Sequence, residues 1–404
     1  MDSMYSAHRV NYQLRAHRRD SLIEFIKTLL LPTMVMYAKG ERKIRFEQYL
    51  GVFRSLEQLV DEHRERYELF IGKAQQGVFS SKLRDLVPEV GIFFTPLPLT
   101  IAFSIYDEQE AITARNFIPP SFNDIRHVLN IAQLYALRKT VKLITFDGDQ
   151  TLYQDGGDFL PDSALVVHLI SLLEKGVFVA LVTAAGYENN PRKYESRLSG
   201  LLAGFKAHNL SEVAASKFFV LGGECNFLYK CKADYQLEVV RFESFATDEM
   251  LLWGSDQIVK VLDIAEASLR NGVEEMNLSY QVLRKARGVG LVCKGRSADR
   301  EQLDELALRA KHDVNEAHLN IRVCAFNGGQ DVWVDIGDKL VGVQALQGFL
   351  QCKPEETLHV GDQFLSTGND IATRRACCTV WVSNPEETDK VLSLLEELSN
   401  LEGE

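Results

Sequence analysis

The sequence predicts an α/β protein in which a doubly wound parallel sheet is interrupted by an α+β insert and preceded by helices. From about residue 140 onward, strand-like runs alternate with helix-like segments, which is typical of βαβ units. Between roughly residues 187 and 330, short strands occur in pairs around two longer helices, which indicates a second unit. The first third carries apolar residues at helical spacing.

The composition indicates a globular protein with several domains. The 404 residues are 46% hydrophobic and 25% charged, and this length suggests two or three cores. A net charge of −11 argues against a nucleic-acid partner, which would require a basic face. No apolar run reaches the roughly 18 residues that a membrane helix needs, and the first residues lack a secretory signal. The seven cysteines show no disulfide or zinc spacing, so we expect a cytoplasmic protein.

The leader, residues 1–138, is predicted to be a helical domain for assembly or regulation. Its first helix, in SLIEFIKTLLLP, is expected to stop before Pro32, and a second covers residues 46–70. Ser121 is an expected N-cap for a third helix, which contains His127. Because no catalytic grouping occurs in these helices, His127 is more simply a packing or solvated residue.

The catalytic core is predicted to comprise residues 139–186 and 331–404. Its strands are expected in VKLITFDGD, VFVALVTAAG, TLHVGD and CTVWVSN, with helices in SALVVHLISLLEKG and GVQALQGFLQC. Residues 187–330 are predicted to form the α+β insert. A core interrupted by a second domain places a cleft between the two, where ligands commonly bind.

Polar residues stand at the ends of the predicted strands. Asp147 and Asp149 close the first strand, Thr183 closes the second, and Asp362 closes a later one. Ligands of open parallel sheets bind beyond the carboxyl ends of the strands, so these side chains can converge there. Lys339 would supply a positive charge. Three carboxylates suit a hard cation, and a hydroxyl with an ammonium suits a phosphate.

Each of these residues also has an ordinary structural interpretation. The two aspartates of DGD could belong to a solvated turn, and Thr183 could satisfy nearby backbone groups. Lys339 could be a surface lysine, and Asp362 could cap the following helix. The functional interpretation depends on their occurring together.

The motifs resemble those of the haloacid dehalogenase superfamily of phosphotransferases. DGDQT is similar to its first motif, and Thr183, Lys339 and GDQFLSTGND are similar to its second, third and fourth, in order. The match covers about residues 140 to 385 and implies a Rossmann-like core, with the insert as a type 2 cap. Asp370 follows Asp362 by eight positions, a longer spacing that is similar to that of phosphomannomutases.

Longer strings, including LITFDGDQTLYQDGG, FNGGQDVWVDIGDKLVGV and HVGDQFLSTGNDIATR, resemble the IMP-specific 5′-nucleotidases of fungi and some protists. The resemblance extends over most of the chain and includes the leader. It implies hydrolysis of inosine 5′-monophosphate (IMP), dependence on Mg²⁺, a homotetramer and modulation by ATP.

The resemblance also implies roles for the strand-end residues. Asp147 would be the nucleophile that forms an aspartyl-phosphate, and Asp149 would be the general acid and base. Mg²⁺ would be held by the carboxylates of Asp147 and Asp362 and by the backbone carbonyl of Asp149. Thr183 and Lys339 would hold and neutralise the phosphate.

Further residues are interpreted from their places in the motifs, the insert and the leader: Asp370, Asp155, Asp331, Arg322, Glu224 and His127. Asp370 is expected to orient Lys339 or a metal-bound water. Asp155 is a turn residue or a substrate contact, and the family resemblance favours Asp331 as a substrate contact. The roles of Arg322 and Glu224 stay open. The family's response to ATP makes His127 a candidate effector residue.

Two other functions remain open at this stage. A sugar-phosphate phosphatase or phosphomutase of the same superfamily fits the cap type and the spacing of the fourth motif. A non-catalytic scaffold that binds nucleotide through the leader is the other alternative. Loss of the nucleophile or the lysine would be expected of such a scaffold, and both residues are present.

Overall fold

A computed structural model describes residues 20–37, 41–72, 79–154, 157–159, 163–365 and 367–400. The chain divides into two compact units, Met1–Ala136 and Leu137–Glu404. Among the described residues, no helix is both long and apolar enough to cross a bilayer.

The first unit is built from helices. They are α1 (Ser21–Tyr37), α2 (Arg42–Gly72), α3 (Lys82–Leu86), α4 (Leu99–Glu110) and α5 (Phe122–Leu137), with a 3₁₀ turn at Ile112–Ala114. Its core forms where α2 packs on α4, because Tyr49, Phe53 and Leu56 recur on one face of α2 and are buried. The Phe53 and Phe103 rings stack with centroids 4.9 Å apart. As predicted, Ser121 caps α5 by accepting a hydrogen bond from the amide of Asp124.

The prediction that the first helix stops before Pro32 is wrong. Helix α1 contains Pro32 and continues to Tyr37. An internal proline removes one backbone donor and disturbs the helix, but the turns on either side keep their own hydrogen bonds.

The second unit contains a seven-stranded sheet. Its strands, in spatial order β11-β10-β1-β2-β3-β4-β5, are β11 (Cys378–Trp381), β10 (Thr357–Gly361), β1 (Leu143–Phe146), β2 (Phe178–Thr183), β3 (Phe218–Gly222), β4 (Phe227–Cys231) and β5 (Leu237–Val239). The first five pair in parallel, and β4 and β5 extend the sheet as antiparallel strands. The prediction of an α/β protein with a mostly parallel central sheet is therefore confirmed.

A smaller antiparallel sheet has the order β6-β7-β9-β8. Its strands are β6 (Tyr280–Arg284), β7 (Gly288–Cys293), β8 (Val323–Asn327) and β9 (Val332–Ile336). Two long helices, Ser255–Glu275 and Arg300–Glu316, pack on one face of this sheet through a shared apolar core.

Helices complete the second unit. In chain order they are α6 (Ala164–Glu174), α7 (Pro191–Arg197), α8 (Ser199–Ala207), α9 (Glu212–Ala215), α10 (Phe242–Phe245), α11 (Asp248–Leu251), α12 (Ser255–Glu275), α13 (Arg300–Glu316), α14 (Lys339–Leu350) and α15 (Pro385–Asn400). Short 3₁₀ turns lie at Pro354–Glu356 and Ile371–Arg375.

Strand pairing differs from the expected grouping of the insert. Strands β3, β4 and β5 pair with the large sheet, although residues 187–330 were expected to form a separate unit. Strand β9 pairs with the small sheet, although its residues were assigned to the core. A hairpin at the edge of a sheet and a hairpin in a separate domain have the same local pattern, and only the tertiary partner distinguishes them. The domain boundaries themselves stay a prediction.

Candidate active site

The ends of three neighbouring parallel strands create the site. Strand β1 lies between β10 and β2, and the last residues of the three strands are Phe146, Gly361 and Thr183. The amide of Asp147 donates to the carbonyl oxygen of Val360 at 2.9 Å, which fixes the backbone of the nucleophile candidate to β10. Residues that follow these strands therefore share one edge of the sheet, as the sequence predicts.

Lys339 brings two of the candidate carboxylates together. It is the first residue of α14, which Asp338 caps by accepting from the amide of Val341 at 2.9 Å. The Lys339 Nζ donates to Asp147 Oδ1 at 2.5 Å and to Asp370 Oδ1 at 2.6 Å. The Lys339 side chain has no solvent exposure. Buried charges of this kind are stabilised only when they are paired, so the lysine holds both carboxylates in place.

The pKa values of the two carboxyl groups that contact Lys339 shift in opposite directions. Burial raises the pKa of Asp147 to about 6, although the Lys339 ammonium opposes the shift. Burial alone would also raise the pKa of Asp370. The opposing effect of the Lys339 ammonium and of the bond to His359 is larger, and it holds the pKa of Asp370 well below its usual range. The two carboxylates in turn overcome the effect of burial on Lys339 and raise its pKa. Of these two carboxylates, Asp370 is thus the main counterion of Lys339, and Asp147 is the one whose charge a further cation would stabilise.

The same edge offers oxygen ligands for a divalent cation. Asp147, Asp362 and Asp370 each place a carboxylate oxygen within 4.8 Å of the others. Asp362 Oδ1 is buried and has no hydrogen-bond partner among the described residues. Burial, together with the charges of Asp147 and Asp370, raises the pKa of Asp362 well above its ordinary value. Clustered hard oxygen ligands that repel one another fit a cation such as Mg²⁺.

Asp370 is held in place from several sides. Its Oδ2 accepts from the amide of Gln363 at 2.8 Å, and its Oδ1 bonds to His359 Nε2 at 2.9 Å. His359 Nδ1 bonds in turn to Thr145 Oγ1 at 2.8 Å. Gly361 permits this arrangement, because a Cβ atom there would overlap the Asp370 carboxyl group. His359 is a contact that the sequence analysis missed, although a histidine in the buried strand TLHVG was a usable signal.

We expect the change His359→Phe to lower kcat about 10- to 100-fold with little change in KM, because Asp370 would lose a support and Lys339 would shift. The change His359→Gln keeps a donor that can reach Asp370 and is expected to recover part of the rate. Steady-state kinetics of both variants test this. Equal losses in both, or a change confined to KM, would contradict a positioning role.

Asp149 and Thr183 lie beside this cluster. Arg197 on α7 donates to Asp149 Oδ1 at 2.9 Å and to Oδ2 at 3.3 Å, and the guanidinium stands 5.6 Å from the centre of the Tyr153 ring. After burial and the charge of Asp370, the Asp149 charge also contributes to the raised pKa of Asp147. Thr183 is buried, and its Oγ1 accepts from the amide of Ala185 at 3.1 Å. Nothing in the sequence distinguished Arg197 from a surface arginine.

The remaining candidates have different surroundings. Asp155 lies outside the described residues. Asp331 lies in the β8–β9 turn, where its Oδ2 accepts from Trp333 Nε1 at 2.8 Å. Glu224 is fully buried, its Oε1 accepts from Asn369 Nδ2 at 2.9 Å, and burial raises its pKa to about 8.

The last two candidates bind to other protein groups. Arg322 Nε donates to Glu249 Oε1 at 3.0 Å, and Arg322 Nη1 lies 3.6 Å from Asp338 Oδ2. His127, in the first unit, bonds through Nε2 to Arg126 at 3.0 Å and through Nδ1 to Tyr106 Oη at 3.3 Å.

Comparison with known proteins identifies relatives along nearly the whole chain. A model of the IMP-specific 5′-nucleotidase family matches residues 4–392. A protein named IMP-specific 5′-nucleotidase 1 from Yarrowia lipolytica is 42% identical, with 97% of each chain covered. Its namesake from Schizosaccharomyces pombe is 39% identical, with 96% of this chain and 98% of that protein covered.

Solved structures agree with these relatives. The IMP-bound form of a Plasmodium falciparum IMP-nucleotidase mutant superposes with a TM-score of 0.85 at 35% identity, covering 95% of this chain and 96% of that one. The ATP-bound form of the Plasmodium falciparum enzyme gives a TM-score of 0.83 at 35% identity, covering 98% and 88%. The haloacid-dehalogenase-like fold and the family, both expected from the motifs, are confirmed. The chain belongs to the IMP-specific 5′-nucleotidase family and is a phosphoric monoester hydrolase.

Proposed function

We propose that this protein hydrolyses IMP to inosine and phosphate, in purine nucleotide degradation or salvage, through an aspartyl-phosphate on Asp147. The observation that carries the proposal is the buried contact of Lys339 with Asp147 and Asp370. Beside it lies Asp362 Oδ1, which has no hydrogen-bond partner in the part of the chain that the structure describes. In this proposal Asp147 is the nucleophile, Lys339 is the cation that neutralises the phosphate, and Asp362 is a metal ligand. We infer the substrate, IMP, from the names of the relatives.

The residues perform the reaction in two steps. Asp147 attacks phosphorus in line, and the bond from phosphorus to the 5′-oxygen breaks while Asp149 gives that oxygen a proton. Asp149 then takes a proton from water, which attacks phosphorus and releases phosphate from Asp147. Arg197 keeps the Asp149 carboxyl group in position through its bond at 2.9 Å. Lys339 and Thr183 bind the phosphate oxygens and stabilise the charge that develops on them.

The carboxylates of Asp147 and Asp362, with the backbone carbonyl of Asp149, would hold Mg²⁺. When bound, Mg²⁺ offsets the charge between nucleophile and phosphate. We expect a chelator to abolish IMP hydrolysis and Mg²⁺ to restore it. Mg²⁺ alone is also expected to raise the melting temperature of the wild type, because the ion binds only the folded site. The change Asp362→Ala should remove that thermal shift; full activity in the chelator would contradict the assignment.

A substrate panel tests the proposed function directly. Purified protein with Mg²⁺ is expected to hydrolyse IMP faster than AMP and faster than hexose phosphates. Equal or faster turnover of a hexose phosphate would favour the sugar-phosphate alternative. Absence of turnover with every ester would favour the nucleotide-binding scaffold.

The remaining assignments concern regulation and assembly. We propose a cytoplasmic homotetramer whose activity responds to ATP. The existence of an ATP-bound form of the Plasmodium falciparum IMP-nucleotidase supports ATP as the effector. The family's response to ATP makes His127 the candidate effector residue, and its half-buried ring lies 5.6 Å from that of Tyr106, centroid to centroid. Mass measurement in solution tests the tetramer, and ATP titration of the His127→Ala variant tests the residue.

A further inference from the structure

The small sheet turns a polar face away from its apolar core. Side chains on a strand alternate, so Trp333 and Asp335 of β9 share one face, while Val332 and Val334 point to the other. The two valines are fully buried in the core that α12 and α13 cover. Trp333 and Asp335 therefore lie on the face that the two helices leave open.

Two glycines on the neighbouring strand shape this face. Gly290 and Gly288 of β7 stand directly opposite Trp333 and Asp335 in the register. A Cβ atom at Gly290 would overlap the Trp333 ring, and one at Gly288 would overlap the Asp335 carboxyl group. Strand glycines often mark a place where a ligand or other group approaches the backbone closely. The two side chains can thus lie flat against β7.

A small, partly open cleft lies on this face. On the side of the small sheet it is lined by Gly288 and Asp335, together with Lys285 of the β6–β7 turn. On the other side it is lined by Phe227 of β4 and by Ala184, which directly follows β2. Ala184 follows Thr183, the proposed phosphate ligand, directly. The cleft consequently begins at the phosphate end of the site, where the rest of a nucleotide must extend.

The cleft is lined by two acids, Glu188 and Asp335, and by two bases, Lys285 and Arg287. Asp335 is 5% exposed, and its Oδ2 has no hydrogen-bond partner among the described residues. Lys285 Nζ stands 3.8 Å from the centre of the Trp333 ring, a cation–π contact that fixes the ammonium. Burial raises the pKa of Asp335 to about 7 and lowers the pKa of Lys285. Buried polar groups of this kind are stabilised when a ligand supplies the missing partner.

We propose that Asp335 and Lys285 recognise the N1–H and C6=O edge of a 6-oxopurine base, an inference that rests on the proposed function. The carboxylate accepts the N1–H, and the ammonium donates to the 6-oxygen. Adenine reverses both groups: its N1 is an acceptor facing the carboxylate, and its 6-amino group faces the ammonium. A site built to hydrogen-bond one pattern rejects the other because its buried groups are left unpaired.

The test compares nucleotides with an ester that has no base. The change Asp335→Asn preserves shape, and we expect it to lower kcat/KM for IMP about 10-fold or more and to lower the ratio of IMP to AMP turnover. Lys285→Met is expected to lower the same ratio. Hydrolysis of ribose 5-phosphate, which has no base, should change less than about twofold in both variants. GMP, which has the same edge, should lose turnover in parallel with IMP.

Three results would overturn the proposal. They are an unchanged ratio of IMP to AMP, equal losses with IMP and ribose 5-phosphate, and a loss in the matched control Asp263→Asn, an acid on α12 of the same unit. Melting temperatures of all variants separate misfolding from altered recognition. Failure of the proposed function would be seen differently, as absence of IMP turnover in the wild type.

Discussion

The change Asp147→Asn is expected to abolish phosphate release from IMP, with a fall in kcat of roughly 10⁴-fold or more. Asparagine has nearly the same shape as aspartate but is not a nucleophile, so the first step has no acceptor for the phosphoryl group. The protein should still fold, because Lys339 keeps its bond of 2.6 Å to Asp370. Phosphate release under saturating IMP and Mg²⁺ measures the effect.

The control for this experiment is Asp256→Asn, which makes the same chemical change at an exposed aspartate in the first turn of α12. It should retain wild-type activity. Melting temperatures of both variants confirm that any difference lies in the chemistry. Hydrolysis by Asp147→Asn at the wild-type rate would remove Asp147 from the mechanism.

The change Lys339→Met is expected to impair both catalysis and stability. Removing the ammonium from the reacting phosphate should lower kcat about 10²- to 10³-fold. It also leaves Asp147 and Asp370 buried without their shared partner, and breaking a buried pair in this way costs about 3–5 kcal/mol of unfolding free energy. Denaturant unfolding of the variant and the wild type measures the second effect.

The stability loss should depend on pH. Without the ammonium, burial raises the pKa of both carboxyl groups in the folded state, so the folded chain binds more protons than the unfolded chain. Stability of the variant should therefore fall as the pH rises from about 4, near the pKa of an unfolded aspartate. Lys353→Met, at a lysine side chain that is 71% exposed, should lose neither activity nor stability. A Lys339 variant as stable as the wild type at pH 8 would contradict the buried pairing.

Much of the site could be predicted because its residues sit at fixed places on regular elements. Strands β1, β2 and β10 are apolar runs bounded by polar residues, and parallel pairing of such strands brings their ends together. The positions of Asp147, Thr183 and Asp362 at one edge follow from that rule. Lys339 required the motif resemblance as well, since a lysine at a helix start has no distinctive pattern.

The parts that could not be predicted depend on contacts between distant residues. The bond of His359 to Asp370 requires the intervening loop to fold back, which it does through the bond from the Asp370 amide to the Gln363 carbonyl at 3.1 Å. No local sequence pattern specifies that the loop between His359 and Asp370 folds back in this way. Asp335 is a charged residue in an apolar strand, but its exposure to the cleft depends on the glycines opposite it in β7.

The central claim is that Asp147 receives the phosphoryl group, and the most direct test is to find it there. Wild-type protein is quenched in acid while it turns over IMP with Mg²⁺, digested, and its peptides are weighed by mass spectrometry. We predict the mass of one phosphoryl group on the peptide that contains Asp147, and none on that peptide from Asp147→Asn. A phosphoryl group found on a different residue, with the Asp147 peptide unmodified during turnover, would contradict the mechanism.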